Sequence, residues 1–309
     1  MILYNKVGGK SRETPEILDF VLRKIYNYLK YRAIGKKGGE RMGPRSFAAK
    51  HTARVSLKGK WPAAVGICLL ACGCLLLKAL VFMTVSDLLV SFMPSGFLMY
   101  ALDAAAALVV TVLEFFAFSP LYVGILRWFW RVTAGADDPV SSVFCCYDSK
   151  ADYRKSISMI FAVLWRTLVA VVISFAPFAY FLAATTSLER NFAFNSDGER
   201  AILYFVCGAT AVLGGLVVVL YLTRLYLVFP VIFSDDSVTV RDAVKLSKSI
   251  AKGNRAVLFY TVISFSGWLL LSFLVLPMLF TVPYFVSTMS VFARYSINDR
   301  ILQAEKSAE

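Results

Sequence analysis

The sequence predicts an all-α fold, a polytopic bundle of helices that cross a membrane, and three observations carry that reading. Hydrophobic residues make up 58% of the 309-residue chain and charged residues only 17%, where a soluble domain is about 45–50% apolar. The apolar residues gather in six stretches that meet or nearly meet the about 20 residues a helix needs to cross the hydrocarbon core. The charges are lopsided, with 33 Lys and Arg against 20 Asp and Glu, and they collect on alternate sides of those stretches. An ordinary soluble globule and a disordered chain are both excluded. One histidine, His51, leaves no room for most His-based metal centres and catalytic triads.

The expected spans are about 61–86, 97–126, 157–185, 200–233, 255–274 and 276–296. The second and fourth exceed the core thickness, so each is expected to tilt or to run on into the cytoplasm. Residues 255–296 contain no polar loop, and Pro277 and Pro283 are their only punctuation. Two short helices joined near Leu276-Pro277 fit better than one long one, because Pro removes a rung of the backbone ladder. A re-entrant hairpin stays open as the alternative.

Orientation follows from where Lys and Arg lie. Residues 1–60 carry 15 of them, 127–156 and 234–255 five each, and the tail from Arg294 three. The alternate loops carry none over 87–96, and only Arg190 and Arg200 over 187–200. Both termini are therefore expected in the cytoplasm, with an even number of crossings of the plasma (inner) membrane. The same asymmetry explains the net charge of +13 without nucleic acid as a partner. No short apolar run ending in a small-residue cleavage site stands in the first 60 residues, so the first span is expected to serve as its own insertion signal.

The chain divides into a basic extension (1–46), the membrane domain (47–297) and a short cytoplasmic tail (298–309). In the extension, Thr14-Pro15-Glu16 opens an amphipathic helix from Ile17 to Ala33, and residues 34–46 read as a Gly-rich linker. Gly8-Gly9-Lys10-Ser11 lacks the spacing of a phosphate loop.

The cytoplasmic segments share a pattern of interfacial amphipathic helices that lead into spans. Before the first span stand Lys58-Gly59-Lys60, and before the fifth Lys252-Gly253-Asn254-Arg255. In each, Gly is expected to supply a left-handed helix cap and Lys to face the negative helix end. Asp137-Asp138 follows the second span and Asp235-Asp236 the fourth, both placed to cap the next helix. Behind the second pair, Val240, Ala243, Val244, Leu246, Ser247 and Ile250 fall on one face, and Arg241, Lys245, Lys248 and Lys252 on another. These cations, with Lys58, Lys60, Arg131 and Arg255, are the expected contacts to anionic headgroups of the inner leaflet, worth about 1 kcal/mol each. Pro120, Val123, Phe129 and Arg131 share their spacing with Pro283, Val286, Phe292 and Arg294. Either internal repetition, in three units of interfacial helix plus helical hairpin, or biased composition accounts for that match.

Several of these residues carry a resemblance. Leu57-Lys58-Gly59-Lys60-Trp61 resembles the Leu-Lys-Gly-Asn-Trp that opens the bacterial integral-membrane family filed as domain of unknown function 975. Ser119-Pro120-Leu121-Tyr122-Val123-Gly124 is similar to the close of that family's second span. The stretch from Asp236 through Lys252-Gly253-Asn254 to Ser264-Phe265-Ser266-Gly267-Trp268 resembles its most recognisable block, and Pro283-Tyr284 with Phe292 its ending. The likeness covers roughly residues 50–297. It departs at residues 1–45, longer than the family's leader, and at Asn254-Arg255, which lacks the family's usual Trp. The resemblance implies a bacterial six-span protein and no particular activity.

Ionisable groups inside a span need a partner or a role. Lys78 lies about 25 Å from the inner face and Asp103 about 9 Å from the outer face at 1.5 Å per residue, which makes them an expected pair in a core of about 30 Å. Glu114 and Arg166 fall together in the inner half by the same rise and form the second expected pair. The four either tie helices together or line a path. Arg224 is expected to snorkel to the headgroups. Cys68, Cys72, Cys74 and Cys207 read as small packing residues, and Cys145 and Cys146 as reduced thiols near the bilayer. Trp128 and Trp130 fit an interfacial aromatic belt. No metal, no cofactor and no nucleophile or acid–base cluster is expected, so the chain does not read as an enzyme. The expected function is a non-enzymatic module that interacts with lipid or with an unidentified protein. The alternative is a small transporter or channel with Lys78, Asp103, Glu114 and Arg166 along its path.

Overall fold

The computed structural model describes residues 45–92, 96–191, 197–267 and 275–306. The helix expected over 17–33 lies outside the described residues, as does most of the linker after it. All regular structure among the described residues is helical. The helices are α1 (Arg45–Leu57), α2 (Trp61–Phe92), α3 (Phe97–Thr133), a 3-10 helix (Val140–Tyr147), α4 (Lys150–Asn191), α5 (Asp197–Leu222), α6 (Val228–Ser234), α7 (Val240–Ile263) and α8 (Val275–Lys306). Helix α1 begins at Arg45, inside the expected linker.

Four helices are long and apolar enough to cross a membrane, over Trp61–Leu89, Leu98–Thr133, Lys150–Ala183 and Tyr204–Leu222. They are apolar on the outside: no more than 17% of the most apolar window of any of them is buried. Leu76, Leu80, Leu108, Leu113, Ile173 and Val212 all point away from the bundle. In water that surface would be a large exposed patch; in lipid it is the ordinary exterior. The chain is a membrane protein.

The packed core sits at one end of this bundle. It is built from the C-terminal part of α3 (Leu121, Val123, Trp128, Phe129, Val132), the 3-10 helix (Val143, Cys146), α6 (Val228, Val231, Ile232), the first half of α7 and the C-terminal half of α8. Helix α1 lies on α8 through a face of Ser46, Ala49, Ala53 and Leu57, all buried. The small side chains at 49 and 53 admit Val291 and Phe292. The hydroxyls of Thr288, Ser290 and Ser296 on α8 donate to the carbonyls four residues upstream at 2.8, 3.0 and 3.0 Å.

The expected fourth span, 200–233, divides in two. Helix α5 stops at Leu222, and the chain turns through Thr223–Leu227 before α6. Tight backbone bonds mark the turn, from Arg224 N to Tyr221 O and from Leu225 N to Leu222 O. Pro230 explains the break: it has no N–H, its ring crowds the carbonyl four residues upstream, and it is tolerated only in a first turn. Arg224 is exposed in this turn, and its carbonyl accepts from Ser247 at 2.7 Å.

Helix α7 departs from expectation in two ways. It runs through Gly253 without a stop, so Gly253 is an interior helix residue and not a cap. Its apolar face (Ala243, Val244, Leu246, Ser247, Ile250) is covered by protein rather than laid on lipid. Arg241, Lys245, Lys248 and Lys252 are exposed. Of the expected fifth and sixth spans, α7 and α8 supply the described parts, and residues 268–274 lie outside the described residues.

Candidate functional site: a basic layer at one end of the bundle

The cations converge on the packed end, and carboxylates lock several of them there. Gly59 ends α1 with φ +81°, so the chain turns at once into α2 and brings Lys60 under α3. Lys60 Nζ lies 2.9 Å from Asp137 and 2.6 Å from the Ala136 carbonyl. Its hydrogen bond and charge hold the Asp137 carboxyl below the usual range. Gly135, at φ +81°, closes α3, with Gly135 N bonded to Val132 O at 2.8 Å. That cap was legible as Ala134-Gly135 ahead of Asp-Asp-Pro, but the Asp pair drew the attention. Arg131 pairs with Asp138 at 2.8 Å, and the Asp138 carbonyl accepts from Trp128 Nε1. Asp236 takes Arg127 at 3.4 Å and Lys155 at 3.8 Å, joining α3, α4 and the α6–α7 turn.

Asp137, Asp138 and Asp236 are therefore clamps, and neither Asp pair caps a helix. Asp235 accepts instead from Ser237 N and Oγ in a local turn. The N-cap of α7 is Thr239, whose Oγ1 accepts from Asp242 N. Thr-Val-Arg-Asp is the signature that sequence reading passed over. Trp128 and Trp130 are core residues, 1% and 7% exposed, and not an interfacial belt. Arg294 donates to the Trp130 carbonyl and stacks on that ring at 4.3 Å, so it differs in role from Arg131, which it matches in spacing.

The stretch Ser119–Gly124 holds the layer to the spans. Pro120 cannot donate to the Phe116 carbonyl, and Tyr153 of α4 donates to it at 3.0 Å. At Gly124 a Cβ would stand 1.8 Å from the Val143 carbonyl oxygen, so only Gly lets the 3-10 helix lie against α3. Beside this contact Cys145 and Cys146 have sulfurs 3.9 Å apart. The Cys146 thiol as donor, with Arg127 beside it, lowers the Cys145 pKa to about 6. The role of sulfur donor and burial push Cys146 the other way.

In the spans the expected partners are exchanged. Lys78 pairs with Glu114 at 2.6 Å. Asp103 accepts from Ser86 at 2.6 Å, and Arg166 donates to the Ala162 carbonyl of its own helix at 2.7 Å. The reason is helix length. Helix α2 has 32 residues, about 48 Å at 1.5 Å per residue, so depths reckoned from its inner end against a core of about 30 Å put Lys78 too far out. Reckoned from the α2–α3 connection, Ser86 is level with Asp103, and Lys78 is nearly level with Glu114.

A family model described as protein of unknown function (DUF975) matches residues 44–300. The chain belongs to this family. No curated protein and no solved structure matches it. The DUF975 match begins at the foot of α1 and ends within the last turns of α8, so it takes in the whole basic layer and all four apolar helices. Among the described residues, no group of three or more His, Cys, Asp or Glu is placed to hold a metal ion.

Proposed function

We propose that this DUF975 protein is a non-enzymatic module of the inner membrane whose basic layer holds anionic lipid headgroups of the cytoplasmic leaflet. In this reading both termini are cytoplasmic, and α7 and α8 contribute to a fifth and a sixth crossing. The observation that carries it is the gathering of Lys60, Arg127, Arg131, Lys155 and the exposed cations of α7 at one end of the helices. Positive charge at one membrane face is what anionic lipid attracts and what the cytoplasmic side retains. The transport alternative has less support. The charges that would line the path have partners, Lys78 in Glu114, Asp103 in Ser86 and Arg166 in its own helix.

The test compares nanodiscs of phosphatidylcholine alone with nanodiscs that also contain phosphatidylglycerol. The anionic lipid is expected to raise the unfolding temperature. Changing Arg241, Lys245, Lys248 and Lys252 together to Gln is expected to remove much of that gain, about 1 kcal/mol per charge. Equal stability in both lipids counts against the headgroup reading.

A further inference from the structure

Between α1 and α8 lies a cavity of about 300 Å³ lined by Phe47, Lys50, His51, Arg54 and Tyr284. Its construction follows from α1. One face of that helix is spent on α8 through Ala49 and Ala53. Lys50, His51 and Arg54 stand at i, i+1 and i+4, which places all three along one side of the rod. Two of these side chains sit against aromatic rings. Lys50 Nζ sits 4.4 Å above Phe265 and 3.4 Å from the Ser264 carbonyl at the end of α7. The Arg54 guanidinium lies 5.8 Å from the Tyr284 ring centre, and the Tyr284 hydroxyl donates to the Lys50 carbonyl at 3.4 Å. Partial burial lowers the Lys50 pKa.

The contrast with the rest of the basic layer decides the reading. Lys60, Arg127, Arg131 and Lys155 each face a carboxylate. Among the described residues, no carboxylate pairs with Lys50, His51 or Arg54. Aromatic faces position their charge without neutralising it, so among the described residues the lining of the cavity is net positive. An ammonium, a guanidinium and an imidazole N–H around one space offer donors in several directions. That set suits a tetrahedral phosphate better than a flat carboxylate, with Arg54 able to donate two parallel bonds. Phe47, 66% exposed at the rim, gives the apolar flank that a headgroup's glycerol would meet.

We propose that this cavity binds a phosphate group, carried by a phospholipid headgroup or free in solution. The lipid form rests on the headgroup reading above; the site itself does not. The test uses the full chain in neutral detergent, titrated separately with dioctanoyl phosphatidic acid and with inorganic phosphate and followed by thermal shift. At least one probe is expected to stabilise the wild-type protein. K50Q/R54Q is expected to weaken that probe by about 25-fold, from about 5-fold per cation removed. K50R/R54K is expected to keep most of the affinity, because both positions stay cationic. A lipid response without a phosphate response assigns the site to headgroups, and the reverse assigns it to the free ion. Failure of both probes, or K50Q/R54Q binding like wild type with an unchanged unfolding transition, overturns the site. If phosphatidylglycerol still stabilises K50Q/R54Q in nanodiscs as it does the wild type, the lipid form of the site falls while the headgroup reading stands. If phosphate binds at the cavity but phosphatidylglycerol has no effect, the headgroup reading falls and the cavity stands.

Discussion

Gly124→Ala is expected to cost about 3 kcal/mol or more, at the upper end of overpacking effects. The added methyl would meet the Val143 carbonyl oxygen at 1.8 Å. That neighbour is backbone, so no side chain can swing aside to admit it. Either the 3-10 helix lifts from α3 or α3 bends. Either movement disturbs the Arg127–Asp236 and Lys155–Asp236 clamps and the buried Val143 and Cys146. Gly66→Ala is the control. It also lies in a helix, but its Cβ would meet nothing within 4 Å, and Ala is the better helix former by about 1 kcal/mol. Unfolding in a mixed-micelle denaturant titration should rank Gly124→Ala far below wild type and Gly66→Ala level with it. Two variants of equal stability would mean that the 3-10 helix does not lie on α3 as described.

Glu114→Gln is expected to destabilise the protein by about 3 kcal/mol, because it leaves the Lys78 ammonium inside the apolar layer without its carboxylate. Lys78→Met should do similar harm by stranding Glu114. The double variant is expected to recover most of the loss, since an uncharged pair of similar volume removes both charges from lipid. Additive losses in this double-mutant cycle would show that the two groups do not act as a pair. The same cycle on Lys78 and Asp103 should be additive, because Asp103 takes its hydrogen bond from Ser86.

The apolar helices were legible because the bilayer sets their length, and composition alone reports it. Gly59 was legible because Lys-Gly ahead of an apolar run is a local signal, and α1 does end there with φ +81°. Gly253 stands in the same local pattern and has no such conformation. Its helix is continued by packing on α6 and α8, which sequence cannot display. The break at Leu222 was written in Pro230, but an unbroken apolar run concealed it. The partners of Lys78 and Glu114 depended on a reference plane. Depth counted from the α2–α3 connection would have found them; depth counted from a membrane face did not. The cavity on α1 was out of reach, because Lys50 and Arg54 take their aromatic partners from residues 265 and 284, more than 200 positions away.

The headgroup reading rests on which face of the membrane the clamped cations occupy. Its most direct test is labelling with a membrane-impermeant maleimide in intact cells, in a variant without its native cysteines. Single cysteines would be placed at Ser141, in the 3-10 helix of the basic layer, and at Asn195, between α4 and α5. Asn195→Cys is expected to label from outside once the reagent has passed any outer barrier, and Ser141→Cys only after the inner membrane is permeabilised. Labelling of Ser141→Cys in cells with an intact inner membrane, or protection of Asn195→Cys there, would contradict the placement of the basic layer at the cytoplasmic face.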